Sequence, residues 1–351
     1  MKHLMSLLAA IYLCLPAHSQ QVTQIRSVEK IAMGDGTYTF RDFDTKKHLE
    51  GNHRLIMDDR EYVLASFSNG LPHGSWETYR YYKLKEKKNF LMGRLDGALI
   101  EYYGDGTTPC KEAMMKNGKM HGRWVEYYTN GNIAKDEFYQ DGLEHGRQTA
   151  FNHDGTLKRD CFFKNGKPEG KQKNLYRSNT GDFWQESNCK NGIRQGQFTE
   201  TFLNGNLKTK GEYLDGEKNG VWIVNYENGR PKSYQTYKKG KRNGDSKTFF
   251  DDGNVQSITP YVNDLKEGIA REFFETTKTL KAEISYVANY EHGSYKFFYD
   301  NGKLLEEGHT ERGYRIYAKE YFINGQLRSV KEQKDGVWET TERYDQSGKQ
   351  L

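Results

Sequence analysis

Four histidines, His73, His121, His145 and His292, each stand immediately before a glycine, a recurrence that invites a metal reading. Two imidazoles bound to one zinc at ~2.0 Å bring their nitrogens to about 3.3 Å, whereas equivalent positions in adjacent hairpins of a sheet lie two strands, ~9.6 Å, apart. Other copies of this position hold Asn219, Asn243, Gln195, Glu169 and Glu267, so a polar bend residue is the expected role and no metal is expected. Carboxylates recur too, as Glu101, Glu126, Glu200 and Glu272. A pair ~9.6 Å apart sits at the upper edge of the separation used by inverting glycoside hydrolases. Val224, Thr248 and Phe297 replace them elsewhere, which points to solvated strand glutamates. There is no nucleophile elbow, phosphate loop, H-E-x-x-H helix or dinucleotide fingerprint, so neither catalytic residue nor cofactor is expected.

What remains is aromatic chemistry on a polar background. The 351 residues include 25 Tyr, 18 Phe and 5 Trp, with 36 Gly and only 6 Pro, a balance suited to short strands between glycine turns. Lys and Arg number 53 against 48 Asp and Glu, a net charge of +5 without a basic stripe, which argues against a nucleic-acid partner. The chain also lacks the polybasic cluster of a lipid binder.

The elements that would position these side chains follow from an internal repeat. A glycine opens a near-identical phrase at Gly51, Gly74, Gly97, Gly122, Gly146, Gly170, Gly196, Gly220, Gly244, Gly268 and Gly293, in steps of 23 to 26 residues. Those from Gly74 to Gly293 are read as structural turn glycines. Counting from the glycine, a bulky residue at +2 (Trp76, Leu99, Trp124, Phe198, Trp222, Tyr295) shares a strand face with an aromatic at +6 (Tyr103, Tyr128, Tyr176, Phe202, Tyr226, Phe250, Phe274, Tyr299). At +8 and +9 come Asp-Gly or Asn-Gly pairs such as Asn130-Gly131, which accept positive φ at both positions, as a two-residue hairpin turn requires. A second strand carries an aromatic near +17 (Tyr139, Phe163, Tyr213, Tyr237, Tyr261), and a further pair such as Asn117-Gly118 or Asp141-Gly142 leads into the next copy. Each repeat is therefore one β-hairpin. About twelve of them predict an all-β, elongated antiparallel meander, ~115 Å long before twist at ~4.8 Å per strand.

A second aromatic row, at +5, must face the opposite way: Tyr102, Tyr127, Phe249, Phe273 and Phe298 belong to it. Curvature can cover one row more easily than two. Either both rows are cross-strand packing, or one stays open as a platform for a partner protein or a glycan. Trp124, Tyr127, Tyr102, Phe249, Phe273 and Phe298 are the candidate partner-binding residues.

The phrases Lys210-Gly211-Glu212-Tyr213-Leu214-Asp215-Gly216 and Gly34-Asp35-Gly36-Thr37-Tyr38-Thr39-Phe40 resemble MORN repeats over roughly residues 34 to 345. The bulky residue at +2, where MORN repeats carry glycine, is similar to the MORN variant of bacterial YwqK-like antitoxin proteins. That resemblance implies a hairpin ribbon with a protein-binding or scaffolding role.

Lys2 and His3, the apolar run Leu4 to Leu15 and Ala17-His18-Ser19 read as a signal peptide over residues 1–19, which predicts export to the periplasm or medium. No later run is long enough to span a membrane. Residues 20–50 are then an N-terminal cap with a shortened repeat, 51–312 the repeats proper, and 313–351 degenerate repeats and a cap. Export would remove Cys14 and leave Cys110, Cys161 and Cys189, so at most one bridge could form, Cys161 to Cys189 being the pair considered. The function expected is an exported, non-enzymatic scaffold for protein interaction, possessing an antitoxin or immunity analogy. The alternatives are a carbohydrate or cell-wall binding module and, third, a glycan-processing enzyme.

Overall fold

The computed structural model describes residues 20–179 and 181–351; the segment read as an export signal lies outside them. Apart from one 3-10 turn, Ile25–Ser27, the regular structure of the described residues is all β. The chain divides into two units, residues 1–156 and 157–351.

In the first unit, β1 (Gln21–Gln24) runs parallel to β4 (Gly51–Ile56), the single parallel pair among the described residues. Between them, β2 (Val28–Ala32) and β3 (Tyr38–Asp42) form a separate two-stranded sheet. From β4 onward the strands follow as an antiparallel meander through β5 (Glu61–Ser68), β6 (Leu71–Arg80), β7 (Lys83–Leu91) and β8 (Arg94–Tyr102) to Gly146–Phe151. The second unit is the same meander from Leu157–Lys164 to Val337–Arg343, each strand paired with the next. The expected antiparallel meander of hairpins is thus what the chain forms.

Two turn chemistries alternate, and only one is the turn expected. At Asn117-Gly118 both residues have positive φ (50° and 78°), as a two-residue turn demands, and Asp215-Gly216 repeats it (52° and 84°). The +8/+9 pairs differ. Gly131 is left-handed (φ 83°), but Asn130 is not, and the link is a longer loop. There the Asn130 side-chain oxygen accepts the Asn132 N–H (3.0 Å), and Asp154, Asn204, Asn228, Asp252 and Asn301 repeat the bond two residues on. Asn and Asp are needed at this place as side-chain acceptors, not for their tolerance of positive φ.

The opening glycines do not sit in either turn. Gly122 lies inside a strand, where Met120 pairs with Met115 and Trp124 with Ala113, so three residues bulge opposite one. Its φ is 98°, and the other nine from Gly74 to Gly293 lie between 68° and 109°. Only glycine holds that backbone cheaply, and a bulge bends its strand. The bends let alternate strands meet at their ends. Gly118 N–H donates to the Leu95 carbonyl (2.7 Å), Gly216 to Arg194 (2.9 Å) and Gly240 to Lys218 (2.9 Å). At the other end the +6 hydroxyls donate to the following repeat, Tyr128 to the Phe151 carbonyl (2.9 Å) and Tyr299 to that of Tyr321 (2.9 Å). A flat sheet would hold these segments ~9.6 Å apart.

Burial is thin. In the first unit Phe40 from β3 joins Leu55, Val63, Ala65 and Phe67 beneath Trp76. In the second, single +2 side chains are covered: Phe198 and Trp222 are 4% exposed and Tyr295 is 2%. Trp222 fits because Gly211 has no side chain; a Cβ there would stand 2.2 Å from the indole.

Two outcomes follow from this packing. Gly211→Ala should cost about 1–3 kcal/mol by overpacking, read as a lowered guanidinium midpoint, and Gly131→Ala, where a Cβ meets open space, should act through φ alone. The turn carboxylates respond to acid. Accepted hydrogen bonds from Thr37 hold Asp35, and the Lys278 ammonium holds Asp252, at about 2 against an ordinary 3.8. A depressed folded-state pKa contributes stability above the ordinary value and loses it as pH falls through about 2. The thermal midpoint should drop across that window, and less so in Asp252→Asn.

Candidate interaction surface

Strand alternation gives the sheet two unlike faces. One carries positions +1, +3 and +5 and is laced by ion pairs: Arg123 to Asp136 (2.8 Å), Lys171 and Lys173 to Glu186 (both 2.8 Å), Arg271 to Glu283 (2.7 Å). The +5 aromatics sit along its margin. Tyr127 donates to Glu112 (3.2 Å), and Tyr79 stacks on Tyr62 with centroids 4.8 Å apart. Tyr102, Phe273 and Phe298 are half-buried there, while Phe249 is covered, 9% exposed and edge-on to Tyr234 at 4.8 Å. Trp124 points to the other face, against Tyr139 (6.4 Å) and under Lys135 (5.3 Å). The six candidate residues are therefore not one surface.

The other face orders rings and cations in rows. In the second unit Phe198, Tyr213, Trp222 and Tyr237 form a chain of contacts, with Phe198 to Trp222 at 5.2 Å, Tyr213 to Trp222 at 5.1 Å and Trp222 to Tyr237 at 6.2 Å. Two residues before Gly196, Gly220, Gly244 and Gly268 stands a base. Arg194 lies 5.4 Å from the Tyr213 ring, Lys218 lies 4.3 Å from Trp222 and 5.0 Å from Tyr237, Arg242 lies 4.0 Å from Tyr261, and Lys266 lies 4.7 Å from Tyr286. Register produces the match: the opening glycine two residues past each base is paired with the tyrosine of the following strand, Gly196 with Tyr213, Gly220 with Tyr237, Gly244 with Tyr261 and Gly268 with Tyr286. Arg242 also meets Asp264 (3.2 Å); among the described residues Arg194, Lys218 and Lys266 have no carboxylate at ion-pair distance. Burial raises the phenol pKa of Tyr237 and Tyr286, so both stay neutral beneath their cations. The same position is Pro72, Leu95, Met120 and Glu144 in the first unit and Glu291 further on, which confines the row.

Sequence reasoning named Tyr213, Tyr237 and Tyr261 of this row but neither Tyr286 nor the bases. The signal was present in the column two residues before the glycine, which reads Arg, Lys, Arg, Lys over four successive copies.

The other candidate groups have structural partners. Glu101 pairs with Lys111 and Glu126 with Lys135, both at 2.9 Å, while Glu200 accepts from Thr209 (2.7 Å) and Gln185 (3.1 Å). In several copies the residue before the opening glycine accepts a backbone N–H from the next turn: Glu169 from Asn191 (2.7 Å), Gln195 from Asp215 (2.8 Å), His292 Nδ1 from Arg312 (3.4 Å). Any acceptor serves, which explains why His, Gln and Glu interchange. Among the described residues no three His, Cys, Asp or Glu side chains gather as a metal would require. Cys110, Cys161 and Cys189 are free thiols, with burial pushing each thiol pKa up. Among these residues no helix is long and apolar enough to cross a membrane.

Comparison with known families matches residues 120–141, 144–165, 218–239, 242–263 and 291–311 to the MORN repeat variant. Each matched stretch begins two residues before an opening glycine. No curated protein matches the chain. A solved structure titled "Crystal Structure of TcdB2-TccC3-Cdc42" is 9% identical, over 90% of this chain and 23% of that one, with a TM-score of 0.12. The chain thus spans under a quarter of that protein's length.

Because these glutamates stand in half-buried, solvent-accessible cross-strand pairs, Glu101→Gln and Glu126→Gln should each cost no more than about 1 kcal/mol in urea unfolding. A larger loss would mean that these carboxylates hold more than a neighbouring lysine.

Proposed function

We propose that the chain is a non-catalytic binding module, and that its second unit takes up an acidic segment of a partner protein along the row Arg194, Lys218, Arg242 and Lys266. A MORN-variant hairpin array is suited to protein interaction, and this row gives it a chemical preference. The observation that carries the reading is the pairing of each base with an aromatic ring, combined with the lack, among the described residues, of a carboxylate partner for three of the four. A ring beneath an ammonium or guanidinium holds the charge in place and limits its side-chain freedom, so less order is lost when an anion binds. Complementary charge then supplies specificity and rapid association.

The rings of this row lie under cations, which favours an acidic peptide over the stacking of neutral sugars. The pairing of the recurrent glutamates with lysines favours binding over hydrolysis. The export reading of residues 1–19 adds a setting outside the cytoplasm, and the similarity to YwqK-like antitoxins makes neutralisation of another protein one form of this role.

Fluorescence anisotropy with a labelled decapeptide of alternating Glu and Ser tests the reading. Binding should weaken steeply with salt, and Lys218→Glu with Lys266→Glu should reduce affinity at least tenfold, about 1.4 kcal/mol. Affinity unchanged by that double substitution, or retention on immobilised neutral glycans in place of the peptide, would contradict it.

A further inference from the structure

The first unit holds a cavity of about 460 Å³ that the repeats do not share. It lies where the 3-10 turn and the β2–β3 hairpin approach the sheet. Val28 and Phe40 come from the hairpin, Leu55 from β4, and Trp76 and Phe90 from β6 and β7. The size falls within the range of small-molecule sites, roughly 300–1,000 Å³. Its walls are set by packing: Trp76 contacts Phe90 (5.6 Å), Phe67 (6.0 Å) and Phe40 (6.1 Å). Leu55, 1% exposed, and Phe40, 8% exposed, belong to the best-covered cluster of this unit.

Two cations border this apolar space. Lys88 is held by Glu86 (2.6 Å). Lys30 is exposed, stands 3.8 Å from the Tyr38 ring, and has no carboxylate at ion-pair distance among the described residues. Glu29, its neighbour, is taken by Arg41 (2.7 Å) and Lys46 (3.2 Å). An apolar chamber bordered by one uncommitted ammonium matches a molecule with an apolar body and a single anionic end.

We propose that this cavity, formed by the β2–β3 hairpin over β4 to β7, is a binding site for a small amphiphilic carboxylate, whose apolar part lies against Trp76, Phe90 and Leu55 and whose carboxylate meets Lys30. The site uses none of the residues of the cation row, so it stands or falls apart from the protein-binding reading. Burial of the tail supplies most of the attraction and Lys30 sets the sign of the head group.

The test uses decanoate below its micellar concentration, followed by calorimetry and by tryptophan fluorescence of the whole chain. Saturable one-to-one binding is expected, with a fluorescence change that Trp76→Phe removes while calorimetric binding persists. Lys30→Glu should weaken binding at least tenfold, and decyltrimethylammonium, with the same tail and opposite charge, should bind no better than decanoate does to that variant. Val28→Trp, which fills the chamber from its half-buried rim, should abolish uptake while leaving the circular dichroism spectrum unchanged. Absence of binding, many molecules bound per chain, or an affinity indifferent to both Lys30→Glu and Val28→Trp would overturn the proposal.

Discussion

A β-hairpin satisfies its backbone on the inner side only; each outer edge carries N–H and C=O groups that must find partners elsewhere. In this chain the partner is the next hairpin, and the constraint reaches beyond the ladder itself. Because glycine bulges bend the first strand of each hairpin, turns two strands apart touch, and bonds such as Gly118 to Leu95 and Gly216 to Arg194 tie copy to copy. Tyrosine hydroxyls do the same at the opposite end. With so little apolar burial, these ties and single covered side chains such as Trp222 over Gly211 must carry the fold.

The same geometry separates structure from function. One face is consumed by cross-strand ion pairs, and the +6 hydroxyls are committed to neighbouring carbonyls. Among the described residues, what the repeats leave without a carboxylate is Arg194, Lys218 and Lys266, three of the four bases set over rings in the second unit. Their spacing is that of the repeat, because register pairs the glycine two residues past each base with a tyrosine of the following strand. An interaction surface thus arises from one column of an otherwise structural unit.

Much of the fold was legible in the sequence because its contacts are local. The +2 and +6 periodicity, the Asn-Gly pairs and the glycine spacing each act within one hairpin, so reading them required no knowledge of distant partners. Legibility failed where a residue's role depends on its neighbours in space. The +8 Asn and Asp were read for their φ tolerance, whereas their oxygens cap the loop. The column at Arg194 and Lys218 looked like ordinary charge until register set it over Tyr213 and Trp222. Most of all, nothing in residues 20–50 announced that Phe40 would join Phe67 and Trp76, because that contact crosses from the small hairpin to the sheet and obeys no repeat. The cavity beside it was hidden for the same reason.

The account rests on stabilisation by adjacent copies, and shortening the chain by whole repeats tests this most directly. Proteins ending at residues 312 and 262 should keep the full chain's β-sheet signal per residue, while their guanidinium midpoints fall step by step. Loss of all β structure on removal of the last hairpins would show a single cooperative core and contradict it.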